Sequence, residues 1–148
     1  MNQTIIIPGT PIAQARPRFF RRGRFVGTYN PQETEAGRWR LDLCRQLPPG
    51  WVPIKGPIRI TVRFFMKRPK SHYRTGIKSN EIKGNAPSIH SYKPDIDNLQ
   101  KMVFDYCNGL MWVDDALICD VHCRKDYSEN PRTEITVEEI VDHEKSAG

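Results

Sequence analysis

Four aspartates and one lysine stand close together in two short strings of this chain. The first is Pro94-Asp95-Ile96-Asp97-Asn98-Leu99-Gln100-Lys101 and the second is Trp112-Val113-Asp114-Asp115-Ala116. Carboxylates gathered in one place repel each other unless a cation neutralises them. Oxygen donors of this kind suit a hard divalent ion, and Mg²⁺ is the natural choice. An EF-hand calcium loop fails, because Leu99 and Gln100 stand where that loop needs an oxygen ligand and a glycine. Carboxylate pairs also hydrolyse glycosidic bonds, but the basic N-terminal part of the chain gives no reason for a neutral sugar. The bland alternative is that Asp97 caps a helix. That role needs neither a second acid at 95 nor a lysine at 101. A carboxylate-bound metal activates water against a phosphodiester and offsets the charge that builds on the phosphorane. Lys101 would add positive charge near the phosphate or the leaving oxygen.

The charge distribution suggests what such a site would act on. Residues 1–94 hold 18 Lys and Arg against 4 Asp and Glu, a net of +14. Residues 95–148 hold 5 against 13, a net of −8. A basic half points to a polyanion, most often nucleic acid. Glu138, Glu139, Asp142 and Glu144 read as a solvated tail, whereas the acids at 95–97 and 114–115 call for another task. Seven basic residues, at 67, 68, 70, 74, 78, 83 and 93, crowd the aperiodic stretch 67–94 beside a single acid, Glu81. A loop that long is functional or disordered; its charge suits closure on a phosphate backbone, and the competing reading is a mobile, solvated insertion.

The elements that must position these groups follow from periodicity. Gln3–Ile7 is a β-branched run ended by Pro8-Gly9 and predicts a strand. Phe19-Phe20-Arg21-Arg22-Gly23-Arg24-Phe25-Val26 reads as a hairpin with a basic turn. Its aromatics either stack on bases or pack inward, with equal weight. Asn30-Pro31-Gln32-Glu33 opens a helix as N-cap, first position and capping box. Ala36, Trp39, Leu43 and Leu47 form its buried stripe, and Pro48-Pro49-Gly50 ends it. Ile58–Met66 alternates as a strand. Leu99, Met102, Val103, Tyr106 and Cys107 predict a second helix from about Asp97 to Asn108-Gly109, with Asp97 and Lys101 together on the face opposite this stripe. Strands follow at 117–125 and 133–140. Leu117, Cys119, Val121 and Cys123 alternate as one buried face would.

At 148 residues the chain is the size of one domain with one core. Its four cysteines make no framework, and Cys119, His122 and Cys123 lack the paired spacing of a zinc site. Free thiols in a reducing cytoplasm are the expectation. No apolar run approaches a membrane span, and no secretory signal is visible at the N-terminus.

The string Asp95-Ile96-Asp97-Asn98-Leu99-Gln100-Lys101, followed by Phe104-Asp105 and Trp112-Val113-Asp114-Asp115-Ala116, resembles the RusA family of Holliday junction resolvases. Asp-x-Asp alone is common; the full string with its downstream Asp-Asp-Ala is far more specific. Arg16-Pro17-Arg18 resembles the phage-type members. The resemblance implies an α/β (α+β) single domain with a small mixed β-sheet and two main helices, assembled as a homodimer. It implies a Mg²⁺-dependent endonuclease that resolves four-way DNA junctions by paired symmetric nicks, with no small-molecule cofactor. It places the functional acids on Asp95, Asp97 and Asp115 and the essential lysine on Lys101, with Asp114 the less critical aspartate. One departure bears on binding. Short members carry an arginine run before Asp-x-Asp, whereas this chain has Ser91-Tyr92-Lys93-Pro94. DNA contacts are therefore expected from Lys93, from the basic flexible loop at about 67–94, and from Arg16, Arg18, Arg21, Arg22 and Arg24. The dimer has an independent rationale: resolving a junction of two-fold symmetry takes two nicks, and one chain holds one acidic cluster. Two alternatives are a non-catalytic branched-DNA-binding protein and a less selective nuclease acting on forks and flaps. A structural or interaction protein is a third, for which the Arg-rich hairpin has no purpose.

Overall fold

Alternation in Ile58–Lys67 builds the central strand of the protein. Ile58, Ile60, Val62 and Phe64 are buried on one side, while Arg59 and Arg63 are exposed on the other, as a two-residue period requires. The computed structural model describes residues 2–14, 18–29 and 33–141, the side chains at 18–20 and 28–29 excepted. In chain order the elements are β1 (Asn2–Pro8), β2 (Arg18–Arg22), β3 (Phe25–Tyr29), α1 (Glu33–Gln46), β4 (Ile58–Lys67), α2 (Ile96–Cys107), β5 (Ile118–Ser128) and β6 (Arg132–Glu139). Four strands form a mixed sheet in the order β1-β6-β4-β5, antiparallel except for the β4–β5 pair, and β2–β3 is a separate antiparallel hairpin. The expected single α+β domain with a mixed sheet and two helices is what the chain adopts.

Parallel neighbours need a crossover, and α2 supplies it between β4 and β5. Both helices press on one face of the sheet. Trp39 and Leu43 of α1 and Leu99, Met102 and Val103 of α2 close over Ile5, Ile60, Val62, Ile135 and Val137. The helices meet through Trp39 and Tyr106, whose rings stand edge-on with centroids 5.6 Å apart. Burying a side chain such as Leu99 contributes roughly 1.5–3 kcal/mol. The opposite face is a solvated ladder of charge. Arg59 pairs with Asp120 at 2.7 Å and Glu138 at 3.5 Å, and Arg63 with Asp126 at 3.6 Å.

Three expectations shift. Asp95, not Asp97, holds the N-cap position of α2, with extended φ −68° and ψ 146°, and the helix begins at Ile96. Cys119 is exposed rather than part of a buried face, because the β4–β5 register skips from Ile58–Ile118 to Arg59–Asp120 and leaves Cys119 as the extra residue of a bulge. β5 also runs on to Ser128. The stretch after β4 carries two short 3-10 turns, Lys70–His72 and Gly76–Lys78. It returns to the edge of β5, where Tyr127 N–H donates to Ser88 O at 2.7 Å and His90 N–H to Lys125 O at 3.2 Å. The expected N-cap Asn30 and its neighbours Pro31 and Gln32 lie outside the described residues. No helix among the described residues is long and apolar enough to cross a membrane.

Candidate active site

Asp97, Lys101 and Asp105 recur every fourth residue along α2, and all three are exposed while Leu99, Met102, Val103, Tyr106 and Cys107 are buried. Each step rises about 6 Å, so the exposed face reads acid, base, acid over two turns. Asp97 sits in the first turn and accepts from Asn98 N–H at 2.9 Å, where the helix dipole favours an anion. Asp95 does not use its carboxylate as a cap; it accepts from Lys93 Nζ at 2.9 Å.

The second acidic string is held by the turn after α2. Gly109 adopts φ +81° there, a region glycine enters without steric cost. Ile54 N–H donates to Met111 O and Val113 N–H to Ile54 O, each at 3.0 Å, which seats Trp112 in the core with no exposed surface. Its ring stands edge-on to Phe104, centroids 6.2 Å apart. From that fixed position Trp112 Nε1 donates to Asp115 Oδ1 at 2.7 Å. Asp114 serves locally: it caps the 3-10 turn Asp115–Leu117, accepting from Ala116 N–H at 3.3 Å.

Asp115 and Lys101 line one shallow depression of about 350 Å³ together with Gln14, Phe104 and Asp105. Gln14 reaches it because its N–H donates to Asn98 O at 3.1 Å, docking the segment after β1 on the first turn of α2. Asp95 lines another depression, of about 560 Å³, with His90, Tyr92, Lys93 and Lys125. Lys125 Nζ donates to Tyr92 O and to Pro94 O, both at 2.8 Å, and so ties β5 to the residues that lead into Asp95.

The structure thus brings Lys101 to Asp115 and Lys93 to Asp95. Among the described residues, no three His, Cys, Asp or Glu side chains converge as a cation cage. Each acid of the set rests instead on a donor of its own: Lys93, the Asn98 amide or Trp112 Nε1. The donor chemistry still fits Mg²⁺, which keeps several waters and takes one or two carboxylates plus substrate phosphates rather than a closed protein cage. Arg21, Arg22 and Arg24 are exposed on the β2–β3 hairpin, and Arg18 begins β2; Arg16 lies outside the described residues. Spacing alone did not single out Trp112, Lys125, Gln14 or Asp105. Asp105 left a signal as the third member of the four-residue repeat 97–101–105, and Trp112 as the first residue of the second acidic string, three before Asp115; Gln14 and Lys125 act through contacts distant in sequence.

Residues 8–138 match the family model described as Endodeoxyribonuclease RusA. The chain is also similar to the uncharacterized protein YqaN of Bacillus subtilis (strain 168), with 31% identity over 132 residues, which is 89% of this chain and 92% of that protein. The span 8–138 contains both acidic strings and Lys101.

Proposed function

The chain belongs to the RusA endodeoxyribonuclease family, and from that premise we propose that it is a Mg²⁺-dependent, structure-specific endonuclease that resolves four-way DNA junctions by paired symmetric nicks, acting as a homodimer. The observation that carries this reading is the depression shared by Lys101 and Asp115 beside the exposed acids of α2. Asp95, Asp97 and Asp115 are the oxygen donors that would hold the metal. When bound, the metal supplies an activated water and offsets phosphorane charge. Lys101 holds a fixed positive charge against the phosphate oxygens or the leaving oxygen. Trp112 keeps Asp115 oriented while engaging only one of its oxygens. Lys93 pairs with Asp95 at 2.9 Å and would be free to contact a DNA phosphate if Asp95 held the metal. The arginines at 16, 18, 21, 22 and 24 supply backbone contacts that position DNA without reading its sequence.

The test is cleavage of a synthetic mobile four-way junction, with Mg²⁺ or EDTA, by wild type and by Asp97→Asn. Wild type cuts only with Mg²⁺. The variant loses cleavage by about a hundredfold or more, yet binds the junction at least as well, since a charge that repels phosphate is gone. Unchanged cleavage in the variant removes Asp97 from the site. Tight binding without cutting in any divalent metal leaves a branched-DNA-binding module.

A further inference from the structure

Beyond the depression at Asp95 lies a larger cavity, of about 880 Å³, a size that suits a nucleotide. The turn Lys67–Tyr73, at the end of β4, forms one wall, and His90, Tyr92 and Tyr127 form the other. His90 and Tyr92 line both spaces, so the cavity adjoins the one that holds Asp95. Its floor is aromatic. The Tyr127 ring meets His72 at 4.7 Å between centroids and His90 at 4.8 Å, and the Arg68 guanidinium lies 5.4 Å from the same ring. Tyr92 stands at the mouth, 68% exposed, with its ring 6.5 Å from His90. Lys67 and Lys70 are exposed on the rim.

Two buried polar atoms here have no hydrogen-bond partner, Arg68 Nε and His90 Nδ1. His90 is only 8% exposed. Arg68 commits Nη1 to Pro87 O at 2.8 Å, which leaves Nε over. Burial, and then the nearby Lys125 ammonium, hold the His90 pKa below its ordinary value, so the ring is neutral at neutral pH. Both orphaned atoms are closed off from solvent, so they do not meet a ligand directly; the aromatic floor and the exposed lysines of the rim suit a flat, anionic ligand. A phosphate backbone alone needs no aromatic floor. A nucleotide uses both, and it must first be unstacked.

We propose that this cavity takes one unstacked nucleotide of branched DNA, the base stacking on Tyr92 and the phosphate at the Lys67 and Lys70 rim. The proposal rests on the nuclease reading above and adds to it a reason for preferring branched over continuous duplex, because a branch point is where unstacked bases are cheapest to supply.

The test measures affinity in EDTA, by fluorescence anisotropy, for a four-way junction, a single-stranded oligothymidylate and a linear duplex. Wild type, Tyr92→Ala, Tyr92→Phe and Lys70→Gln are compared; both positions are exposed, so the variants keep the fold. Tyr92→Ala weakens junction and single-strand binding about tenfold, as loss of base stacking does, and duplex binding less than twofold. Tyr92→Phe restores wild-type affinity. Lys70→Gln, which removes the phosphate contact at the rim, weakens junction and single-strand binding and lowers their salt dependence, with a smaller loss on duplex. Equal loss on all three DNAs for Tyr92→Ala, or no loss on any, overturns the pocket. If wild type cuts junctions and Tyr92→Ala behaves like it throughout, the pocket alone falls. If wild type neither prefers nor cuts junctions, the nuclease reading and the pocket fall together.

Discussion

Trp112 Nε1 and Asp115 Oδ1 lie 2.7 Å apart, and a fixed, fully buried indole is an effective way to hold an acid on an otherwise open surface. Trp112→Phe keeps most of the burial and deletes the donor. Its expected cost is about 1 kcal/mol of stability, the usual net worth of a hydrogen bond, read from denaturant melts. Single-turnover cleavage of a junction should fall about tenfold or more, while junction affinity stays within twofold; unchanged cleavage would show that Asp115 needs no such positioning. At this scale the sequence was informative about chemistry and poor about support. Residue type and spacing pick out Asp95, Asp97, Lys101 and Asp115 as a coherent set. They do not show that Asp95 rather than Asp97 stands at the N-cap. Nor do they reveal the indole behind Asp115, because that bond depends on how the turn at Gly109 folds back on Ile54.

Lys125 shows how one element steers another. It sits on β5, yet its ammonium is spent on the carbonyls of Tyr92 and Pro94, so the edge of the sheet sets the approach to α2. Lys125→Met keeps the apolar stem and removes two charge-assisted bonds, each worth roughly 1.5–3 kcal/mol in favourable settings. The expected result is faster amide exchange confined to about residues 88–95 and several-fold slower junction cleavage. Uniformly faster exchange across the sheet would instead mark Lys125 as a global stabiliser. The helices and the central strand were legible, because the 3.6- and 2-residue periods of α2 and β4 follow directly from which face each must bury. The parallel pairing of β4 with β5 was not, since a pair separated by a long aperiodic segment and a helix leaves no local pattern. The exposure of Cys119 was hidden for a related reason: it is the unpaired residue where the β4–β5 register skips from Ile118 to Asp120, and a bulge breaks the alternation that the residue types suggest.

Over the whole molecule, positive and negative charge fall on different elements. The arginine-rich hairpin and the segment after β4 carry exposed basic residues, Asp97, Asp105, Asp114 and Asp115 stand on α2 and the turn that follows it, and Asp120, Asp126 and Glu138 pair with arginines on the open face of the sheet. The charge imbalance was visible from the residue counts, but the way the segment after β4 folds back on β5, bringing His90 and Tyr92 beside Asp95, was not. In the proposed reaction each chain contributes one set of acids, so paired cutting of a two-fold symmetric junction would take two chains. The most direct test of this account labels each of the four strands of a junction in turn and maps the cuts made with Mg²⁺. The account predicts one nick in each of two opposed strands, at symmetry-related positions, and none when EDTA replaces Mg²⁺. Cuts scattered over all four strands, or equal cutting of linear duplex, would contradict it.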